Sequence, residues 1–240
     1  MKKYLLIHKI LKLINYFIRI SYFFINKKKP FFTVLIKTSF EKIKFYCPIK
    51  NDFKYKYPTN LQRIFGLYEP LTSLFLNNHI KKNFVVVEIG AAYGYFTIQM
   101  CNKSKFVYSI ESSKKMIESL KYNLNLNNIK NCEVHEMFIT SKRLVADDHL
   151  IDNKSTLEDF LKDKKIFPDF IFVDADTILD EKPFNIGEDI ILEIIKIKFN
   201  KKIRVFFETK NYKFYLEEIL KNKILRNKKI ISHQHFYFEK

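Results

Sequence analysis

The sequence predicts an α/β fold, with a mostly parallel central sheet and helices on both faces. Three observations carry that prediction. Strand-like and helix-like runs alternate from Asn83 onward, the order that builds a parallel sheet. Phe84-Val85-Val86-Val87 is a short, continuous apolar run, as a strand buried on both faces must be. Two of the chain's four glycines, Gly90 and Gly94, then fall together in the turn after it. There the backbone must bend sharply or approach a ligand closely.

The first unit, residues 1–29, reads as a basic amphipathic helix. His8, Lys9, Lys12, Asn15, Tyr16 and Arg19 share one face, with Leu6, Ile10, Leu13, Ile14, Phe17 and Phe24 on the other. Lys9, Lys12 and Arg19 make a membrane-centred span costly. The helix either lies on an anionic membrane surface or packs against protein. No small-residue cleavage site follows, so a removable signal peptide is not expected. Residues 30–82 form a second unit leading into the core. Within it, 31–47 read as two strands with a turn near Thr38-Ser39, and 48–60 as a loop. A helix starts at Glu69-Pro70, where proline suits a first turn, and runs to Ile80.

Residues 83–240 form the third unit. After the opening strand and glycine turn, 95–102 are helical. The strand over 106–110 ends on Glu111. Ser112 or Ser113 caps a helix through Met116, Leu120 and Leu124 to Asn127. Residues 133–138 are a third strand and 141–153 a loop. Ser155-Thr156-Leu157-Glu158 is a capping box for a helix over 157–162. Residues 168–174 are a fourth strand, 177–187 an irregular loop, and 188–198 a helix. A fifth strand over 203–207 ends on Glu208, 211–220 are helical, and 229–239 form one or two edge strands.

Composition narrows the function classes. Across 240 residues, 47% are hydrophobic, enough for a full core. The formal charge of +17 invites nucleic acid or an anionic membrane. However, lysine is abundant chain-wide alongside Asn, Ile, Phe and Tyr, and only Lys27-Lys28-Lys29 is dense. Three distant cysteines, Cys47, Cys101 and Cys132, fit neither a disulfide framework nor a zinc site. A reducing cytoplasm is expected, with membrane association only through residues 1–29.

In an open α/β sheet, ligands bind at the carboxyl ends of the strands. The residues placed there are 88–94, Glu111, 135–137, 174–176 and Glu208. Glycines let the backbone approach a ligand, and the helix after Gly94 offers free N–H groups. Glu111 is positioned to accept both hydroxyls of a ribose. The Gly-x-x-x-Gly spacing and the acid at Glu88 suit a pyrophosphate poorly. They suit a ligand with a cationic end, such as the amino group of S-adenosylmethionine. The cofactor set is Glu88, Gly90, Ala91, Ala92, Gly94, Phe96, Thr97, Glu111, Ser112, Glu136, Met137 and Asp174. Methyl transfer from a sulfonium needs alignment and, for a hydroxyl acceptor, a base. Asp174 is the first candidate base and His135 the second; their bland roles are capping and packing. Asp174 with Asp176 is a two-carboxylate pair without a third ligand, so no metal is expected.

These motifs together resemble the FkbM-type S-adenosylmethionine-dependent methyltransferases over about residues 60–210. Tyr68-Glu69-Pro70 looks like that family's entry motif. Glu88-Ile89-Gly90-Ala91-Ala92-Tyr93-Gly94-Tyr95-Phe96-Thr97 looks like its cofactor loop, with Ala92 where Asn is usual. Glu111 followed by Leu120, Asn123 and Asn127, and Thr156-Leu157-Glu158-Asp159 followed by Asp169–Asp174, match further segments. The resemblance implies a Rossmann-like class I methyltransferase fold and O-methylation of a sugar, glycan or small-metabolite hydroxyl. The chain departs from the family at Asp174-Ala175-Asp176-Thr177, where Lys-Ile-Asp-Val-Glu-Gly is usual. Two alternatives follow from that departure. One is a degenerate fold that holds the cofactor without catalysis. The other is a cation-dependent O-methyltransferase, which Phe172-Val173-Asp174-Ala175-Asp176 also resembles. No Asn-Pro-Pro-Tyr-type motif follows the fourth strand, so a small-molecule or glycan acceptor is expected and nucleic acid is not.

Overall fold

The structure, a computed structural model, describes residues 32–37, 42–47, 68–140, 153–175, 177–179, 182–184, 186–209, 211–231 and 235–240. The amphipathic helix of 1–29, the Lys27-Lys28-Lys29 cluster, the Thr38-Ser39 turn, the loop 48–60 and Asp176 lie outside the described residues. So does the loop of 141–153 apart from Asn153.

A hairpin of β1 (Phe32–Lys37) and β2 (Lys42–Cys47) precedes the main body. Then come α1 (Pro70–His79), β3 (Val85–Ile89), α2 (Tyr95–Lys103), β4 (Phe106–Glu111), α3 (Lys114–Leu126) and β5 (Cys132–Glu136). Short strands β6 (Phe138–Ile139) and β7 (Lys154–Ser155) pair with each other. Next are α4 (Leu157–Asp163), β8 (Phe170–Val173), β9 (Thr177–Leu179), β10 (Lys182–Phe184), α5 (Ile186–Lys196) and β11 (Arg204–Glu208). The last helical segment opens as α6 (Tyr212–Phe214) and continues as a π-helix over Tyr215–Leu220. β12 (Arg226–Ile230) and β13 (His235–Glu239) close the described chain.

The central sheet has seven strands in the order β12-β13-β11-β8-β3-β4-β5. The β5-β4-β3-β8-β11 stretch is parallel, and β13 runs antiparallel between β11 and β12. Side chains alternate across this sheet with period two. Val87, Ile89, Ile171, Val173, Val205, Phe207, Phe236 and Phe238 pack on one face against Phe160 of α4 and Ile190, Ile191 and Ile194 of α5. Val86, Val107, Phe170, Phe172, Phe206 and Tyr237 pack on the other with α1, α2 and α3. Strand order reverses between β3 and β8, and this switch point sets the site.

Four local expectations change. β13 is an interior strand, buried along its whole length. Phe236 and Phe238 fill one face and Tyr237 the other, which an edge position would leave in water. The 177–187 loop contains the hairpin β9–β10 and the first turn of α5. The cap of α4 is shifted by one residue: Thr156 accepts from the Asp159 backbone N–H and donates its hydroxyl to the Asp159 carboxylate. The third strand also breaks in two, β5 ending at Glu136 and β6 starting at Phe138. Ser113, one of the two residues named for it, caps α3.

Candidate active site

The β3–α2 turn is built on left-handed backbone. Gly90 has φ 88 and Gly94 φ 87, and Ala92 takes φ 48. A Cβ on Gly90 would stand 1.9 Å from the Asp174 carbonyl oxygen. That contact is why glycine is needed, and it fixes the β3–α2 turn against the end of β8. Gly90 and Ala91 donate their N–H groups to the Ile110 carbonyl at 3.0 and 3.1 Å, and Asp174 N–H donates to Ile89 at 2.9 Å. The turn is thus stitched to β4 on one side and β8 on the other. From the helix side, Asn123, fully buried, donates to the Tyr93 carbonyl at 2.8 Å.

Glu111 stands at the tip of β4, 8% exposed. One carboxylate oxygen accepts from Ala92 N–H at 2.8 Å, the other from Ser113 N–H at 2.8 Å. Ser112 lies 3.5 Å from the same carboxylate. The oxygen bonded to Ala92 accepts only that bond and has capacity for a further hydroxyl donor, whereas the other already accepts from Ser113 and Ser112. Glu136 and Met137 sit beside it: Glu136 pairs with Glu111 in register, and Met137 N–H donates to the Glu111 carbonyl at 3.0 Å.

Glu88 is placed differently from its expected role. It shares a sheet face with Val86 and points into the core, 1% exposed. Thr97 and Ser109 donate their hydroxyls to its carboxylate at 2.6 and 2.7 Å. Burial pushes its pKa up to about 7, against the two hydrogen bonds, which lower it, and with the nearby Glu111 charge adding to the rise. Glu88 therefore holds the start of α2 to β4 from beneath and does not face the cationic end of a ligand. Phe96 is also core, edge-on to Phe172.

His135 is not brought to Asp174. Its strand, β5, is separated from β8 by β4 and β3, about 14 Å at ordinary strand spacing. Its imidazole meets the Glu133 carboxylate at 3.2 Å and packs edge-on against Phe160. Burial lowers its pKa; Glu133 opposes that shift and Lys164 reinforces it. These contacts make it a packing residue.

Asp174, half-buried, joins a cluster that sequence reasoning did not assemble. It hydrogen-bonds Glu208 at the end of β11. Glu208 lies 3.6 Å from the imidazole of His235 at the start of β13, and Glu69 lies 3.1 Å from the same nitrogen. Burial, then the charges of Glu208 and Glu69, hold the Asp174 carboxyl well above its usual range. Burial alone would lower the pKa of His235; the hydrogen bonds and charges of Glu208 and Glu69 outweigh it and push it up to about 10. Glu69 reaches the cluster from strained backbone, φ 40 and ψ 62, at the N-cap of α1. Period-two alternation could have flagged Glu88 as inward. Nothing local in the sequence joins Glu69 to His235.

Tyr68, Gly90, Ala91, Ala92, Tyr93, Tyr95, Phe96 and Asp174 enclose a cavity of about 20 Å³ between the loop and the cluster. Ligand pockets are of order 300 Å³ or more, so this space is far smaller than a cofactor needs. A larger cavity, about 650 Å³, lies at the opposite end of the sheet and is lined by Leu161, Phe167, Phe199 and Ile203 with a lysine rim. It holds none of the residues above.

The sheet order, the glycine turn at the switch point and the acid at the tip of β4 define a Rossmann-like class I methyltransferase fold. No family model matches the chain. Three curated relatives carry the same name, probable cobalt-precorrin-6B C(15)-methyltransferase (decarboxylating). That of Methanocaldococcus jannaschii is 31% identical over 56% of this chain and 64% of its own length. That of Methanococcus maripaludis is 30% identical over 50% of this chain and 70% of its own length. The chain spans only 33% of the length of a third, from Methanococcus vannielii, at 34% identity. The chain belongs to the class I S-adenosylmethionine-dependent methyltransferase family.

Solved structures of similar shape include an rRNA methylase from Streptococcus thermophilus (12% identical, TM-score 0.47, 70% of this chain and 92% of that one). Another is the M. jannaschii tRNA m1G37 methyltransferase (15% identical, TM-score 0.48, 89% of this chain and 56% of that one). These correct the expectation of no nucleic-acid partner. It rested on the missing Asn-Pro-Pro-Tyr-type motif, which speaks only to base-flipping methylation, and on reading the chain-wide lysine as generic surface. Among the described residues, no helix is long and apolar enough to cross a membrane.

Proposed function

We propose that this chain transfers the methyl group of S-adenosylmethionine to a hydroxyl of a sugar, glycan or small metabolite. The observation that carries the reading is the contact of two loops at the switch point. The glycine turn that would hold the cofactor abuts Asp174, and Asp174 opens the acid cluster. Glu111 would hold the ribose, with Ala91, Ala92 and Gly94 along the ligand and Glu136 and Met137 beside its base. When bound, S-adenosylmethionine would supply an electrophilic methyl on a sulfonium, the electron pair of the broken C–S bond staying on sulfur. The chain's part is to orient the acceptor oxygen and take its proton.

Asp174, whose carboxyl is held above the usual carboxylate range by burial and by the neighbouring Glu208 and Glu69, lines the cavity and is the group placed to orient the acceptor oxygen and take its proton. The Tyr68-Glu69-Pro70 and Glu88–Thr97 resemblance to FkbM-type enzymes supports a hydroxyl acceptor. Free Cys101 and Cys132 go with a reducing cytoplasm. A second reading, methylation at carbon of a tetrapyrrole, is favoured by the named relatives.

The test is transfer of labelled methyl from S-adenosylmethionine to panels of hydroxylated sugars and metabolites, tetrapyrroles, and tRNA and rRNA. Label on oxygen in the first panel supports the proposal. Label on tetrapyrrole carbon supports the second reading, and label on RNA overturns both. Binding of S-adenosylhomocysteine without transfer to any panel means a fold that has kept the cofactor and lost catalysis.

A further inference from the structure

We propose that Glu69, Glu208 and His235, with Asp174 beside them, form a binding site for one divalent first-row metal ion, Mn²⁺ being the probe ion. One ligand atom from each of the first three lies within 4.8 Å of the others. The His235 imidazole nitrogen stands 3.1 Å from a Glu69 oxygen and 3.6 Å from a Glu208 oxygen. Ligand atoms bound to one ion at about 2.1 Å are separated by about 3.0 Å in an octahedron and about 3.4 Å in a tetrahedron. The two observed spacings, 3.1 and 3.6 Å, each lie within about 0.2 Å of one of those edges.

The donor set is chemically coherent. One imidazole nitrogen with two or three carboxylates suits Mn²⁺, Fe²⁺ or Zn²⁺ more than Ca²⁺, which prefers oxygen alone. The ligands come from three rigid places. Glu208 and His235 are register partners across β11 and β13, and Glu69 is the N-cap of α1. A dication also answers an electrostatic problem. Three carboxyl groups converge on one imidazole in a half-buried space, and a dication placed among them would be met by carboxylate oxygens from separate elements. Thr72 supports Glu69 by donating its hydroxyl to the same carboxylate oxygen at 3.3 Å.

The position fits the acceptor side of the site, an assignment that rests on the methyl-transfer reading. Tyr68, next to Glu69, and Asp174 both line the cavity beside Gly90. An ion here would bind an acceptor oxygen and lower its pKa, taking over from the carboxylates the task of making the oxygen nucleophilic.

The experiment is calorimetric titration of the full chain with Mn²⁺, paired with the low-temperature EPR signal of the bound ion and run without cofactor. The wild type is expected to bind one Mn²⁺. Glu208→Gln and His235→Asn are each expected to weaken it at least tenfold, in proteins whose circular dichroism and melting show that they fold. Absence of Mn²⁺ binding by the wild type, or equal affinity in both folded variants, overturns the site. The methyl-transfer assay with and without EDTA separates the two claims. Mn²⁺ bound at these residues without any transfer keeps the metal site and sinks the methyl-transfer reading. Full transfer in EDTA by a chain that binds no Mn²⁺ does the reverse.

Discussion

Replacing Glu88 by Gln should remove a specific pH dependence of folding. In the folded chain its pKa is pushed from 4.5 to about 7, chiefly by burial. The folded state therefore holds this proton to higher pH than the unfolded state does. Stability from this group is fully present below pH 4.5, falls as pH rises toward 7, and is level above about pH 8. At about 1.4 kcal/mol per pKa unit the loss is about 3 kcal/mol. Gln retains an oxygen for the Thr97 and Ser109 hydroxyls, and its amide brings a pH-independent offset. The readout is therefore the slope. Urea unfolding of both proteins from pH 4.5 to 8.5 gives two curves, and the variant's stability relative to wild type should climb by about 3 kcal/mol across that range. Parallel curves would show that Glu88 ionises normally, and the inward placement beneath α2 would be wrong.

The two turn glycines should differ in tolerance. A Cβ at Gly90 meets backbone at 1.9 Å, whereas one at Gly94 meets the flexible end of Leu120 at 2.4 Å. Gly94→Ala should cost about 1–2 kcal/mol for its left-handed backbone, and Gly90→Ala about 3 kcal/mol or more; thermal melts that rank them the other way refute the loop contact. Glu111→Ala should weaken S-adenosylhomocysteine binding by about 1–3 kcal/mol, and an unchanged calorimetric affinity would remove Glu111 from the ribose. Asn123→Ala should destabilise the fold by about 1–3 kcal/mol, since it leaves the buried Tyr93 carbonyl without that donor; a chemical-denaturation midpoint equal to wild type would count against it.

The parallel core was legible because burial on both faces leaves a local trace. Phe84–Val87, Phe106–Ile110 and Phe170–Val173 are apolar runs punctuated by glycine, serine or acid, and strands β3, β4 and β8 stand there. The turn was legible because this chain uses glycine only four times. What was hidden depends on contacts between distant residues. β13 alternates no more than an edge strand does, and only the sheet order shows that both its faces are covered. His235 and Glu69 are 166 positions apart, and neither belongs to a local motif of ligand spacing. Glu88 is a different failure. Period two put it on the face of Val86, toward α2, and its position next to the glycine turn outweighed that signal.

The β3–α2 turn and the acid cluster are one mechanical unit. Asp174 N–H is bonded to Ile89, and the Asp174 carbonyl occupies the space a side chain at Gly90 would need. On the other side, Tyr68 closes the small cavity while its neighbour Glu69 holds His235. A ligand that displaced Tyr68 would shift its chain neighbour Glu69, and by linkage whatever binds Glu69 and His235 would then change the affinity of that ligand.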